Sequence, residues 1–194
     1  MAHGPDTEEL LKRIAECDNG ELDLSELNIT SLPELPEGLT SLDCRDCNLT
    51  ELPKLPSSLR YLNFGDNKVT KMPKLPSKLK SLWCQNNYIT EITRLPKKLE
   101  VFICYFNNLK VFPELPKTLL ELDCEGCHLK KLTNFPKTLI DLNCSYNNLT
   151  RLSRLPKGLK NLDCSSNKLK NLKLPKDLES FDCDDNESLI VNLY

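Results

Sequence analysis

The chain has 194 residues, with 26 Lys and Arg against 28 Asp and Glu and a formal net charge of −2. A balance this close argues against a dedicated nucleic-acid binder. Two histidines leave little room for histidine-based catalysis, a mean hydropathy of −0.41 fits a water-soluble chain, and no run approaches the roughly 18 apolar residues of a membrane span.

In chain order, residues 1–20 are polar and charged and contain no apolar stretch of signal-peptide length. Asp6-x-x-Glu9 reads as a capping box with Asp in the Ser/Thr place. Leu10, Leu11, Ile14 and Ala15 supply one apolar face, and Asn19-Gly20 a stop. These signals predict a cap helix over residues 6–18, inside an N-terminal cap of residues 1–20.

From residue 21 the chain repeats. Leu22, Leu42, Leu62, Leu82, Phe102, Leu122, Leu142 and Leu162 follow one another at intervals of 20, and Phe181 follows at 19. Nine rows result, each reading approximately L-x-x-L-x-C-x-x-N-x-L-x-x-L-P-x-L-P-x-x. Two positions after the row leader stand Leu24, Cys44, Phe64, Cys84, Cys104, Cys124, Cys144, Cys164 and Cys183. Three further on stands Asn67, Asn87, Asn107, Asn147, Asn167 or Asn186, with Leu27, Cys47 and Cys127 as the exceptions.

Leu and Cys at alternate positions make a short strand with one face inward. The Asn turns the chain out of the strand, and its amide can satisfy backbone groups exposed by the turn. A return with two prolines cannot be helical, because proline removes a donor and restricts its predecessor. The predicted fold is an α/β-type repeat solenoid, a horseshoe of about nine 20-residue rows spanning residues 21–188. It has a parallel concave sheet, an extended or polyproline-like convex side and an N-terminal cap helix. Nine strands at about 4.8 Å span about 38 Å. Residues 189–194 are apolar. They are expected either to form a final edge strand able to pair with a second chain, or to fold back over the last row.

This pattern is that of a leucine-rich repeat. The Leu-Pro pairs at Leu35-Pro36, Leu55-Pro56 and onward to Leu155-Pro156 resemble the short repeats of bacterial type III effectors of the YopM and IpaH kind. The Cys-bearing rows also resemble repeat proteins of giant viruses. The resemblance implies a non-catalytic interaction module. Members of the effector group often carry a ubiquitin-ligase domain after the repeats, and none is expected in a chain ending at Tyr194.

Several motifs look chemical and are better read as repeat positions. Cys124, Cys127 and His128 match the C-x-x-C-H pattern of haem attachment, but both cysteines fall in repeat columns. Cys44/Cys47 and Cys124/Cys127 suggest a four-thiol zinc site, but four rows place the pairs about 19 Å apart. The cysteine column itself reads as core packing, with a redox or soft-metal ladder as the alternative. No cofactor, metal or catalytic residue is expected. Ten cysteines without a secretion signal point to a reducing, cytoplasmic setting, which is the host cytosol if the source is a pathogen or virus.

Leucine-rich repeat proteins usually bind through the concave strand face. The outward positions of that face, four per row, carry 14 acids and one base, Arg45. Near the middle they carry Tyr61, Trp83, Val101, Ile103, Tyr105 and Phe106, flanked by Asp43, Glu121, Asp123 and Glu125. An apolar centre with a charged rim suits a protein partner with a basic or amphipathic segment. Asp just after the row leader could equally serve the repeat itself. A second hypothesis places nucleic acid or an anionic surface on the convex lysines Lys54, Lys74, Lys78, Lys97, Lys98, Lys117, Lys137 and Lys157. The absence of interleaved aromatics weighs against nucleic acid. A structural or virion scaffold, a homodimer through the C-terminal edge rather than a monomer, is the alternative to the binding module.

Overall fold

The computed structural model of the chain describes residues 4–109 and 112–193. Residues 1–3 of the cap and Tyr194 of the tail lie outside the described residues. Helix α1 (Thr7–Glu16) is followed by strands β1 (Glu21–Asp23), β2 (Ser41–Asp43), β3 (Tyr61–Asn63), β4 (Ser81–Trp83), β5 (Val101–Ile103), β6 (Glu121–Asp123), β7 (Asp141–Asn143), β8 (Asn161–Asp163), β9 (Asn171–Leu174), β10 (Ser180–Asp182) and β11 (Ile190–Leu193). Nine of these form one parallel sheet in the order β1 to β8, then β10. The register steps by the repeat, so that Leu22 pairs with Leu42, Leu42 with Leu62 and Leu82 with Phe102.

The core is the inward column of each strand together with the leucines of the return. The row leaders from Leu22 to Leu162 and the cysteines from Cys44 to Cys164 are buried. All ten cysteines are free thiols, and burial raises the thiols of Cys44, Cys124 and Cys144 far above their usual range. Six returns end in a turn closed by an N–H onto the carbonyl of their last proline three residues back, as in Leu59 to Pro56 and Leu99 to Pro96.

A ladder of buried asparagines ties the rows together. The Asn107 Nδ2 donates to the Cys84 carbonyl of the preceding row at 2.9 Å and to the Cys104 carbonyl of its own row at 3.1 Å. Its Oδ1 accepts the Ile89 N–H at 3.0 Å. Asn67, Asn87, Asn147 and Asn167 repeat the arrangement. Where the column carries cysteine, the thiol takes over the inter-row bond. Cys47 Sγ donates to the Leu24 carbonyl at 3.0 Å, and Cys127 Sγ to the Cys104 carbonyl at 3.2 Å. Cys124 and Cys127 are therefore engaged in the repeat, while His128 points into solvent with a left-handed φ of 59°.

The cap departs from its prediction in two ways. Asp6 precedes the helix but makes no capping bond; its carboxylate instead accepts the Asn28 N–H at 2.7 Å, pinning the cap to row one. Glu9 pairs with Arg13 at 2.9 Å rather than reaching back. Of the expected apolar face, Leu10 is buried and Ile14 packs on the core, but Leu11 and Ala15 face solvent. Ten helical residues against one edge strand have room to bury only a narrow stripe.

The tail runs along the return side of the solenoid. β11 is a strand, yet it joins β9 on the return side and not the concave sheet, with Ile190 opposite Asn171 and Leu193 opposite Leu174. The head of row nine, Phe181, is 43% exposed, whereas the heads of rows one to eight are buried. Among the described residues no helix is long and apolar enough to cross a membrane.

Candidate protein-interaction surface

The outward positions of the concave strands obey a local rule. In seven rows the last strand residue is Asp or Asn, and its Oδ1 accepts the N–H two residues on. The distances run from 2.9 Å at Asp23–Ser25 to 3.1 Å at Asp43–Arg45, Asp123–Glu125 and Asn143–Ser145, with Asn63, Asp163 and Asp182 in the same range. Such a side chain substitutes for a backbone turn and pins the strand exit. Much of the acid read from the sequence as a binding rim thus has a structural duty, including Asp43 and Asp123.

Rows four and five break the rule. Trp83 and Ile103 stand where the other seven rows carry the turn acceptor, and they are neighbours in register. Around them gather Tyr61, Val101, Tyr105 and Phe106. Trp83 Nε1 donates to Ser81 Oγ at 2.9 Å, which fixes the indole across its own strand. The rings of Tyr105 and Phe106 meet edge to face with centroids 5.6 Å apart. Tyr61, Trp83, Val101 and Tyr105 are half-buried and Phe106 is 50% exposed. Ile103 departs from the expectation of an outward contact. It lies between Trp83 and Asp123 in the ladder and is only 3% exposed, so it is a floor to the patch and not part of its surface.

Phe106 occupies a position where the backbone is left-handed in every row, with φ between 49° at Ser166 and 63° at Glu26. Asp, Asn and Gly tolerate that region and a bulky residue does not. Asp46, Asp66, Asn86, Gly126 and Asp185 follow the preference; Phe106 and Tyr146 defy it. Gly126 makes the exception workable for Phe106. A Cβ there would fall 2.4 Å from Cδ1 of the Phe106 ring, so the ring lies on a bare backbone. Tyr146, 61% exposed two rows further on, was not singled out from the sequence. The legible signal was a bulky residue in a column otherwise given to Asp, Asn, Ser, Glu or Gly.

Rows six to nine form the acidic half of the face. Glu121, Asp123, Asp141, Asp163 and Asp182 line a groove of about 280 Å³ that has no basic residue in its wall. Burial pushes the Asp123 carboxyl up to about 6, with the Glu125 and Glu121 charges adding and hydrogen bonds from the Glu125 N–H and Asn143 opposing. Burial and the Asp141 charge raise Glu121. Glu125 accepts a bond from Asn143 Nδ2 at 3.1 Å. Burial raises Asp43 too, despite Arg45, whose guanidinium lies 3.9 Å away.

Neither a protein-family model nor a curated protein matches the chain. Solved structures do. A Shigella effector leucine-rich repeat domain is 27% identical over 98% of this chain and 90% of its own length, with a TM-score of 0.72. YopM from Yersinia enterocolitica is 25% identical over 89% of this chain, with a TM-score of 0.59. The chain spans 59% of the length of that Yersinia protein.

Proposed function

We propose that this leucine-rich repeat chain, built like the repeat domains of the bacterial effectors to which it is similar, grips a protein partner on the concave face of rows three to five. One observation carries the reading: rows four and five give up the turn acceptor for Trp83 and Ile103, and Phe106 occupies a backbone conformation that disfavours it. Departures from a sequence's own rule, costly to the fold and clustered in one place, mark function. Tyr61, Trp83, Val101, Tyr105 and Phe106 are the contact residues and Ile103 their floor. Asp43 on one side and Glu121, Asp123 and Glu125 on the other select a segment whose apolar anchor is followed by cations. The module is non-catalytic and works in the cytosol of the cell that contains it, a setting in which ten unpaired thiols stay reduced.

Trp83 is the only tryptophan of the chain and reports directly on the patch. A short amphipathic Leu/Lys peptide is expected to shift its emission saturably, and the Leu/Glu counterpart is not. Tyr105→Asp is expected to abolish the shift without unfolding the chain. Equal responses to the two peptides, or a shift unaffected by Tyr105→Asp, would overturn the reading.

A second reading, a scaffold that self-associates through its C-terminal end, rests on exposed Phe181, Ile190, Val191 and Leu193. Helix α1 packs against β1 at the opposite end. Pairing of the open ends is therefore isologous and stops at a dimer. Sedimentation equilibrium distinguishes this: a monomer mass at all concentrations sinks it.

A further inference from the structure

A concavity of about 1080 Å³ opens on the convex side, between the returns of rows three and four. Lys71, Lys74 and Lys78 line it from one return and Arg94, Lys97 and Lys98 from the next, with Glu91 the single acid. All six cations are exposed. Among the described residues none of them pairs with a carboxylate, although Lys80 and Lys160 elsewhere on the returns do, with Glu100 and Glu179. Beneath the cations are the half-buried Met72 and Leu75 and the buried Leu95.

Other returns carry cations too, Arg151, Arg154 and Lys157 in row seven among them, but these two rows are adjacent and add a pair the others lack. Lys74 and Arg94 are equivalent positions one repeat apart; rows two and seven carry Lys54 and Arg154 there, and row five carries Glu114. Lys78 and Lys98 are likewise equivalent, and the rows on either side carry Ser58 and Thr118. In that column the remaining rows carry Gly, Ser, Thr or Asp, so the repeat does not require the cations at Lys78 and Lys98. Six unpaired like charges around one groove repel one another, and an anionic occupant removes that cost.

We infer that this groove binds an extended acidic segment of a partner protein. Its walls are two neighbouring proline-bearing returns, and it is a cleft and not a flat crest, so it admits a chain more readily than a bilayer. No aromatic side chain lines it, so nucleobases find nothing to stack on. Carboxylates meet the ammonium and guanidinium heads, while Met72, Leu75 and the lysine stems cover apolar side chains of the segment. The groove lies on rows three and four, which also hold Tyr61 and Trp83 on the opposite face, yet it is independent of the concave reading. Both surfaces can be occupied at once by segments of opposite charge.

The test is fluorescence anisotropy of a labelled alternating Glu/Val peptide with the full chain. Saturable, salt-sensitive binding is expected, weakened at least about tenfold by Lys74→Glu/Arg94→Glu and untouched by Trp83→Asp. A second variant, Lys78→Ser/Lys98→Thr, uses residues that adjacent rows carry and guards against misfolding of the first. It is expected to weaken binding in the same direction. The inference is overturned by an absence of binding, or by binding that folded variants retain. It is also overturned if a thymidine oligonucleotide or phosphatidylserine vesicles bind through these lysines more tightly than the peptide.

Discussion

Asp123→Asn separates the structural duty of the concave acids from their charge. Asn fills the same place at Asn63 and Asn143, accepting the Gly65 N–H at 3.0 Å and the Ser145 N–H at 3.1 Å, so the substitution keeps the turn. It removes a carboxylate that burial holds at about 6 against an ordinary 3.8. The folded chain therefore binds this proton more tightly than the unfolded one. The resulting stabilisation is complete below the unfolded value and is lost as pH rises through the folded value. Two units correspond to about 3 kcal/mol, which screening at a partly exposed group reduces to about 1–2 kcal/mol. Urea unfolding is expected to show the variant more stable than the parent by about 1–2 kcal/mol near pH 7 and equal to it below about pH 4. A variant less stable at neutral pH, or a gap that does not change with pH, would refute the reasoning.

Three further substitutions probe the repeat. Asn107→Leu strips the Cys84 and Cys104 carbonyls and the Ile89 N–H of their side-chain partner, and chemical unfolding should record a loss of about 3 kcal/mol or more. Cys127→Asn restores the ladder in a row where a thiol now makes the inter-row bond at 3.2 Å, and a gain of about 0.5–1 kcal/mol is expected from thermal melts. Gly126→Ala places a Cβ against the Phe106 ring at a φ of 59°; it should lower stability by about 1–2 kcal/mol and also weaken binding at the patch.

The periodicity of 20 was legible because the same few contacts recur in each row. It sufficed to place nine strands, their register and the buried Cys and Leu columns. Tyr61, Trp83, Val101, Tyr105 and Phe106 could be placed on one face for the same reason. What escaped depends on side-chain geometry rather than period. An alternating pattern marks Ile103 as outward, and only the packing of rows four to six shows that it is covered. Asp6 has the spacing of a cap, but its carboxylate serves the Asn28 N–H, a partner 22 residues away. The return of row eight carries Asn171–Leu174, which offers β11 a parallel edge that the tail's composition alone does not announce. The turn role of the concave aspartates was open in the sequence and became evident only from seven equivalent hydrogen bonds.

Those hydrogen bonds make Trp83→Asp a clean probe, because it gives row four the turn acceptor that seven other rows already use. Affinity capture from a eukaryotic lysate, with the parent beside a Trp83→Asp/Tyr105→Asp variant shown by circular dichroism to be folded, tests the central claim most directly. A protein held by the parent and lost from the variant is the predicted result. Identical captures from both, or none from either, would contradict the concave face of rows three to five as the site of action.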